Sequence, residues 1–486
     1  MKNNSTKWNT SDYVRVILLF VGQAIFLNLL FLGALFLKMG SATKFIEFFK
    51  QEGNLKESLY IIIASCILTI VIFIYFHSEN RNFIYKTSNA LMLFAIIAVS
   101  LIACYLLGLI NVYLRPFALC ALLCLLLIDK RSAIFMNFIF CLIMLLCDLI
   151  VLNSTEYSRQ IYVSLVSNFI GGMFAVFFIQ GDGSRVKVLS KGFLIALPVI
   201  VSVLCLEFSN DIKKMLILCG HALLGGVLSD ALMIIMLPFY EYFYGALTNF
   251  RLSELTDHKS RLVRLLIERA PGTFNHIMIV AMLAEACSNA IGENPLLARA
   301  CAYYHDMGKI KKPEFFTENQ SGINPHNELT PELSTDIIRA HAKDGADLIR
   351  KARLPQVLAD SAEQHHGTMP ISYFYAKALK LTDGDLSVEN FSYYGPKPRT
   401  KINAIIMICD ACEAKVRTVA NRTHENVDKA VKDIIEERMD LDQFTECDIT
   451  FRELDIIRNT ITNNLAGVYH ERVKYPKLKK RSKKNG

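Results

Sequence analysis

The sequence predicts an all-α chain in two parts, a polytopic membrane domain followed by a soluble helical domain. Three observations carry this. Of 486 residues 52% are hydrophobic, and the mean hydropathy is +0.32, above an ordinary soluble domain. The excess lies in long apolar runs before about Phe239, whereas from about Arg251 the sequence is mixed and charged. Beyond that point apolar residues recur at three- and four-residue spacing, and alternating strand patterns and internal repeats are absent. The second part, roughly 230 residues, is long enough for a core of its own.

Residues 13–37 predict the first span. The run is too long for a signal-peptide core and no convincing small-residue cleavage site follows, so it reads as an uncleaved anchor. After a short polar connection, 40–56, apolar runs near 58–76, 88–110, 114–128, 133–152, 162–180, 192–206 and 214–238 predict seven more spans. Each is near the ~20 residues a helix needs to cross a bilayer. Arg81 and Lys86, Lys130 and Arg131, and Arg185, Lys187 and Lys191 fall in alternate loops, which the positive-inside rule assigns to the cytoplasm. The segments near 153–160 and 207–214 then lie outside, although Lys213, Lys214 and the lysines at 44, 50 and 56 run against the rule. An even number of spans puts both termini in the cytoplasm of the cell. The expected divisions are 1–56 for the anchor and its loop, 57–240 for a seven-helix domain, 241–470 for the cytoplasmic domain and 471–486 for a basic tail.

Ionisable groups within the spans are few: Asp148, His221 and Asp230 stand out. Asp148 is near enough to a span end to reach the interface. His221 and Asp230 could line a ligand pocket or serve as interhelical hydrogen-bond partners. No repeated halves with broken helices suggest a transporter. Part of the net charge of +8 sits in the tail at 476–484, which reads as a solvated terminus, and no nucleic acid polymer is expected as a partner. Eight of 13 cysteines lie in apolar runs, where thiols act as small hydrophobes. No disulfide framework is visible, and the lone C-x-x-C, Cys409 and Cys412, has no second pair to complete a zinc site.

The second part predicts helices over 259–269, 274–291, 295–304, 332–350, 355–364, 371–380, 401–420, 424–437 and 450–465, divided by Gly and Pro breakers. At the end of one apolar run stands Tyr303-Tyr304-His305-Asp306-Met307-Gly308-Lys309, with Gly308 expected to let the chain turn sharply. Potential metal ligands are numerous here: His258, His276, His305, Asp306, His326, His341, His365, His366 and Asp410. A lone helical histidine is usually structural, but five at helix ends and faces beside two acids point to a metal site. Imidazole suits Mn, Fe and Zn, and carboxylate adds oxygen donors that Mn and Fe accept. A carboxylate can bridge two ions, and Asp306 is the natural bridge.

His276, the His305-Asp306 pair and Asp410 are spaced as in the HD superfamily of metal-dependent phosphohydrolases. The likeness goes further. The stretches Ala270-Pro271-Gly272-Thr273-Phe274-Asn275-His276, Asn294-Pro295-Leu296-Leu297-Ala298-Arg299, Glu318-Asn319-Gln320 and Asn324-Pro325-His326 resemble those of the seven-transmembrane-HD family of PgpH-type cyclic-di-AMP phosphodiesterases. So do His341-Ala342-Lys343-Asp344-Gly345, Glu363-Gln364-His365-His366-Gly367-Thr368 and Gly395-Pro396-Lys397-Pro398. The resemblance implies seven metal ligands, His276, His305, Asp306, His341, His365, His366 and Asp410. One ion would take His276, His305 and Asp410, the other His341, His365 and His366, and Asp306 would bridge. It implies two divalent ions, manganese or iron, that activate water to open cyclic-di-AMP to linear pApA. His305, Asp306 and Lys309 are the expected catalytic residues, with Lys309 either contacting phosphate or solvated behind a helix cap. Lys397 and Arg399 could help bind the dinucleotide.

Two departures from the family stand out. The connection at 40–56 replaces a large extracellular domain, so the sensing role of that domain is missing or replaced. Asn275 stands where the family commonly has a second histidine. The roles of His258 and His326, the metal, the signal sensed by the spans and a homo-oligomeric state stay open. The alternatives are a cyclic-di-GMP or other nucleotide phosphohydrolase, against which the absence of G-Y-P after His365-His366-Gly367 argues, and a nucleotide-binding membrane receptor without catalysis.

Overall fold

The computed structural model describes residues 9–151, 158–179, 185–207, 210–381, 385–419 and 421–468. The basic tail at 471–486 and the outer connection at 153–157 lie outside them. The chain divides into two compact units, residues 1–251 and 252–486. Both are helical, and among the described residues the β pairing is an isolated bridge between Pro370 and Ser392.

The first unit opens with α1 (Thr10–Met39), begun by a capping box between Asn9 and Asp12 and closed by Gly40 at φ +69°. The short connection that follows is itself helical, α2 (Ala42–Lys50), capped by Ser41. Then come α3 (Glu52–Glu79), α4 (Arg81–Ile84), α5 (Thr87–Gly108), α6 (Leu119–Leu127), α7 (Lys130–Val151), α8 (Ser158–Phe178), α9 (Arg185–Ile195), α10 (Leu197–Leu206) and α11 (Ile212–Phe243). Among the described residues seven segments of this unit are long and apolar enough to cross a membrane, and Val112–Leu127 is a shorter apolar one. The run expected at 192–206 is broken in two, because Pro198 at the start of α10 lacks the N–H that would continue α9. Large apolar side chains such as Leu18, Ile63, Ile70 and Ile74 stay exposed, as lipid-facing positions require. This is a multi-pass membrane protein.

The buried charges of this unit differ from expectation. Asp148 does not reach an interface. It is buried and takes two hydrogen bonds from the Arg115 guanidinium, both at 2.7 Å, while Arg115 also donates to Ser164 at 2.5 Å. Arg115, at the start of the run expected at 114–128 and in the structure in the turn ahead of α6, was not singled out in the sequence. Asp230 is fully buried, yet neither of its oxygens makes a hydrogen bond, and neither does Nδ1 of His221. Among the described residues Asp230 is therefore not the interhelical hydrogen-bond partner that was one of the two readings the sequence offered.

The division between units falls inside α12 (Asn249–Leu255). The second unit then runs α13 (Arg261–Arg269), α14 (Pro271–Ile291), α15 (Pro295–Tyr304), α16 (Pro331–Lys351), α17 (Gln356–Gln364), α18 (Ser372–Leu379), α19 (Lys401–Thr418), α20 (His424–Asp440) and α21 (Phe451–Val468). Its centre is α14, which packs on α15, α19 and α21. By length and a window hydropathy of 1.3, α14 also qualifies as a membrane span. Its buried Ile277, Val280, Leu283 and Ala284 meet other helices of this unit instead, so its apolar character is that of a core helix surrounded on several sides.

Candidate metal centre

Five helices deliver the candidate residues to one place. His276 lies on α14, His305 caps the C-terminus of α15 with Asp306 next, His341 lies on α16, His365 caps α17 ahead of His366, and Asp410 lies on α19. The helix starts are fixed locally. Asn294 accepts from the Leu297 N–H, Thr330 from Leu333 and Thr400 from Asn403, while Pro271, Pro295 and Pro331 sit where a missing N–H costs nothing.

Ligand-type atoms converge in three overlapping groups: His276, His305 and Asp410; His305, Asp306 and His365; and His341, His365 and His366. Asp306 lies between the outer two groups. Its Oδ2 is 3.3 Å from His305 Nε2 and 3.8 Å from His276 Nε2, while its Oδ1 is 3.4 Å from His341 Nε2 and 3.6 Å from His365 Nε2. Asp410 approaches His276 Nε2 to 2.9 Å with Oδ1 and His366 Nδ1 to 3.8 Å with Oδ2.

The backbone sets which ring nitrogens face inward. Nδ1 of His305, His341 and His365 each lies 2.5 to 2.8 Å from the carbonyl three residues earlier, on Ala302, Ile338 and Ala362. A carbonyl only accepts, so each Nδ1 carries the proton and each Nε2 offers a lone pair to the centre. His341 Nε2 and His365 Nε2 accordingly face each other at 3.3 Å. His305 Nε2 and Asp306 Oδ1 are buried without a hydrogen bond, while Asp306 Oδ2 faces the Lys309 ammonium at 2.7 Å. Converging lone pairs beside a buried carboxylate oxygen that lacks a donor favour a cation among them, and this donor set fits a divalent metal.

Electrostatics agree. Burial pushes His341 down to about 3 against the pull of Asp306, and burial with His365 holds His366 well below its usual value, so both are neutral imidazoles. Burial alone would raise Asp306, but the Lys309 ammonium and His305 hold it well below the carboxylate range. Asp410 is held down likewise, against burial, by its hydrogen bond with His276. His276 differs. Burial lowers it, but hydrogen bonds to Asp410 and to Glu413 outweigh that and raise it to about 10.

The surrounding residues explain several motifs. Gly308, expected to let the chain turn sharply, lies in a short 3₁₀ turn without a positive φ, where a Cβ would come within 1.9 Å of the His341 carbonyl oxygen. Its smallness brings Asp306 against α16. Lys309 is not solvated: its ammonium is buried 2.7 Å from Asp306 Oδ2 and 2.9 Å from Glu318 Oε1. Glu318 in turn accepts from Thr273, and Asn319 accepts from the Thr273 N–H, which ties the 318–320 motif to the start of α14.

Two neighbours escaped the sequence reading. Glu413 is fully buried, its Oε2 2.5 Å from His276 Nδ1. Its spacing of three from Asp410 on a helix was the available signal. Tyr393 stacks on His366 at 4.3 Å and 24° and has no sequence signature. Other candidates lie elsewhere. His326 Nε2 donates to the Phe315 carbonyl oxygen (3.0 Å), and the ring packs on Phe315 and Phe374, a structural role. His258 is exposed against Phe274, and Asn275 is exposed on α14. Lys397 reaches Thr445 and Arg399 pairs with Glu446 at 2.9 Å. Cys409 and Cys412 are buried free thiols.

Comparison with known proteins places this site. Residues 273–415 match the HD domain family, and residues 55–248 match the family described as 7TM receptor with intracellular HD hydrolase. The chain is 37% identical over 439 residues to the cyclic-di-AMP phosphodiesterase PgpH of Bacillus subtilis (strain 168), covering 88% of this chain and 61% of that protein. It is 35% identical over 445 residues to PgpH of Listeria monocytogenes serotype 1/2a (strain 10403S), covering 89% of this chain and 61% of that protein. The chain therefore spans about three-fifths of the length of these curated relatives. A crystal structure of the L. monocytogenes PgpH HD domain in complex with cyclic-di-AMP is 48% identical, covers 44% of this chain and 99% of that chain, and gives a TM-score of 0.42. With both modules matched and in this order, the chain belongs to the family of 7TM receptors with an intracellular HD hydrolase.

Proposed function

We propose that the protein is a membrane-bound, dinuclear-metal phosphodiesterase that hydrolyses cyclic-di-AMP to linear pApA. The observation that carries this is the Asp306 carboxylate, whose two oxygens face two separate groups of histidines. In this reading His276, His305 and Asp410 hold one ion, His341, His365 and His366 hold the other, and Asp306 serves both. Manganese or iron suits that mixture of imidazole and carboxylate. Bound ions supply Lewis-acid stabilisation of phosphoryl charge and a water of lowered pKa.

The remaining work falls to the chain. Lys309 carries a fixed positive charge beside Asp306, and Glu318 holds that ammonium in place when Asp306 engages metal. His366 and Asp410 are the more accessible ligands, so substrate phosphate enters from their side. The division of labour we propose is residues 1–56 as anchor, 57–240 as the seven-helix domain, 241–470 as the catalytic domain on the cytoplasmic side and 471–486 as a basic tail.

The test is hydrolysis of cyclic-di-AMP and cyclic-di-GMP by the full chain in detergent or lipid nanodiscs, with manganese added. Turnover of the first to pApA is expected. A chain that binds two metal ions and cleaves neither dinucleotide overturns the proposal.

A further inference from the structure

The two halves of the centre are built differently. In three of the four clearly oriented histidines the outer ring nitrogen donates to a backbone carbonyl, of Ala302, Ile338 and Ala362. His276 alone has a carboxylate there. Glu413 Oε2 lies 2.5 Å from its Nδ1, is buried, and is held through Oε1 by Arg417 one helical turn on. The half that contains His276 thus has Asp410 within 2.9 Å of one imidazole nitrogen and Glu413 within 2.5 Å of the other. The opposite half, His341, His365 and His366, is imidazole only apart from the shared Asp306.

A carboxylate behind an imidazole raises the electron density its other nitrogen presents, and it contributes negative charge of its own. Both effects act on a divalent cation more strongly than on a proton, since the Coulomb energy scales with charge. Lys309, near Asp306 Oδ2, opposes them, but its ammonium is already shared with Glu318 at 2.9 Å. We infer that the two metal positions are unequal, that the His276–His305–Asp410 half fills first, and that Glu413, clamped by Arg417, is the positioning residue that makes it so. This inference rests on the two-metal reading above and adds an order of loading to it.

The experiment is a titration of the metal-stripped full chain in detergent with manganese, followed by calorimetry and by the electron paramagnetic resonance signal of bound manganese. Two resolved steps are expected, the first at least about tenfold tighter than the second. Glu413→Gln keeps the shape and removes the charge; it is expected to weaken the first step by about 10–100-fold and to leave the second within about threefold. Arg417 is half-exposed, so Arg417→Gln tests the same clamp without touching the core, and a smaller loss confined to the first step is expected. Two indistinguishable steps in the wild-type chain, or Glu413→Gln and Arg417→Gln titrations that match the wild type or shift both steps alike, overturn the inference while leaving a dinuclear site intact. A wild-type chain that binds fewer than two ions overturns the two-metal reading itself, and the order of loading with it.

Discussion

Asp306 concentrates the chemistry of the second unit into one carboxylate. Replacement by Asn keeps the volume but removes the charge that both histidine groups face, so Asp306→Asn is expected to lose metal and to lower cyclic-di-AMP hydrolysis on the order of 10³-fold or more. Metal content by mass spectrometry beside the rate assay checks this. His276 supplies a pH test. In the metal-free chain its pKa is raised to about 10 by Asp410 and Glu413, so at pH 7 it carries a proton that a metal must displace. Metal uptake is therefore expected to release protons and to tighten between pH 6.5 and pH 8.5, by on the order of tenfold per unit for one displaced proton. Calorimetry in buffers of different ionisation enthalpy counts that proton directly. The histidines and acids that converge here were legible in the sequence because their residue types are rare and their motifs dense. Glu413 was not, because a carboxylate in a mixed helical run looks like any solvated residue until the fold aims it at an imidazole.

At the level of elements, what assembles the site is the close approach of small residues. Gly308 meets the backbone of His341 and Gly345 on α16, and Gly272 meets the Glu318 backbone, where added Cβ atoms would come within 1.9 Å of carbonyl oxygens. Backbone cannot swing aside as a side-chain tip can. Gly308→Ala is expected to cost about 1–3 kcal/mol in stability and to reduce metal content as well, because it parts Asp306 from His341. Denaturant unfolding and metal analysis on one sample separate the two effects. Helix positions in this unit were legible to within three residues, and up to Pro398 Pro and Gly mark most of the divisions between runs. The turn at Gly308 was legible but its close approach to α16 was not, because the sequence shows that a residue is small and only the packing shows what it is pressed against.

Across the whole molecule, the membrane unit holds its own buried charges. The Arg115–Asp148 pair is joined by two hydrogen bonds at 2.7 Å, with Arg115 Nε left buried and without an acceptor. Asp148→Asn leaves a buried guanidinium without its counter-charge and is expected to cost about 3–5 kcal/mol, whereas an Arg115→Leu, Asp148→Leu double variant is expected to recover most of it. Thermal unfolding midpoints of the detergent-purified variants decide between these outcomes. The alternation of apolar runs and basic loops made this unit legible as membrane. The pair was hidden because Arg115 sits at the very start of the run expected at 114–128, where a charge normally reaches water.

One helix ties the two kinds of surroundings together. α14 has a window hydropathy of 1.3, enough to qualify for a bilayer, and it carries His276. During synthesis the insertion machinery meets it after a series of true spans and must let it pass. Were it threaded into lipid, every later segment would emerge on the opposite face of the membrane, with His305, Asp306, His341, His365, His366 and Asp410 stranded away from His276. The sidedness of this chain thus hangs on a discrimination made at one moderately greasy helix, before any of the candidate ligands has found its neighbours.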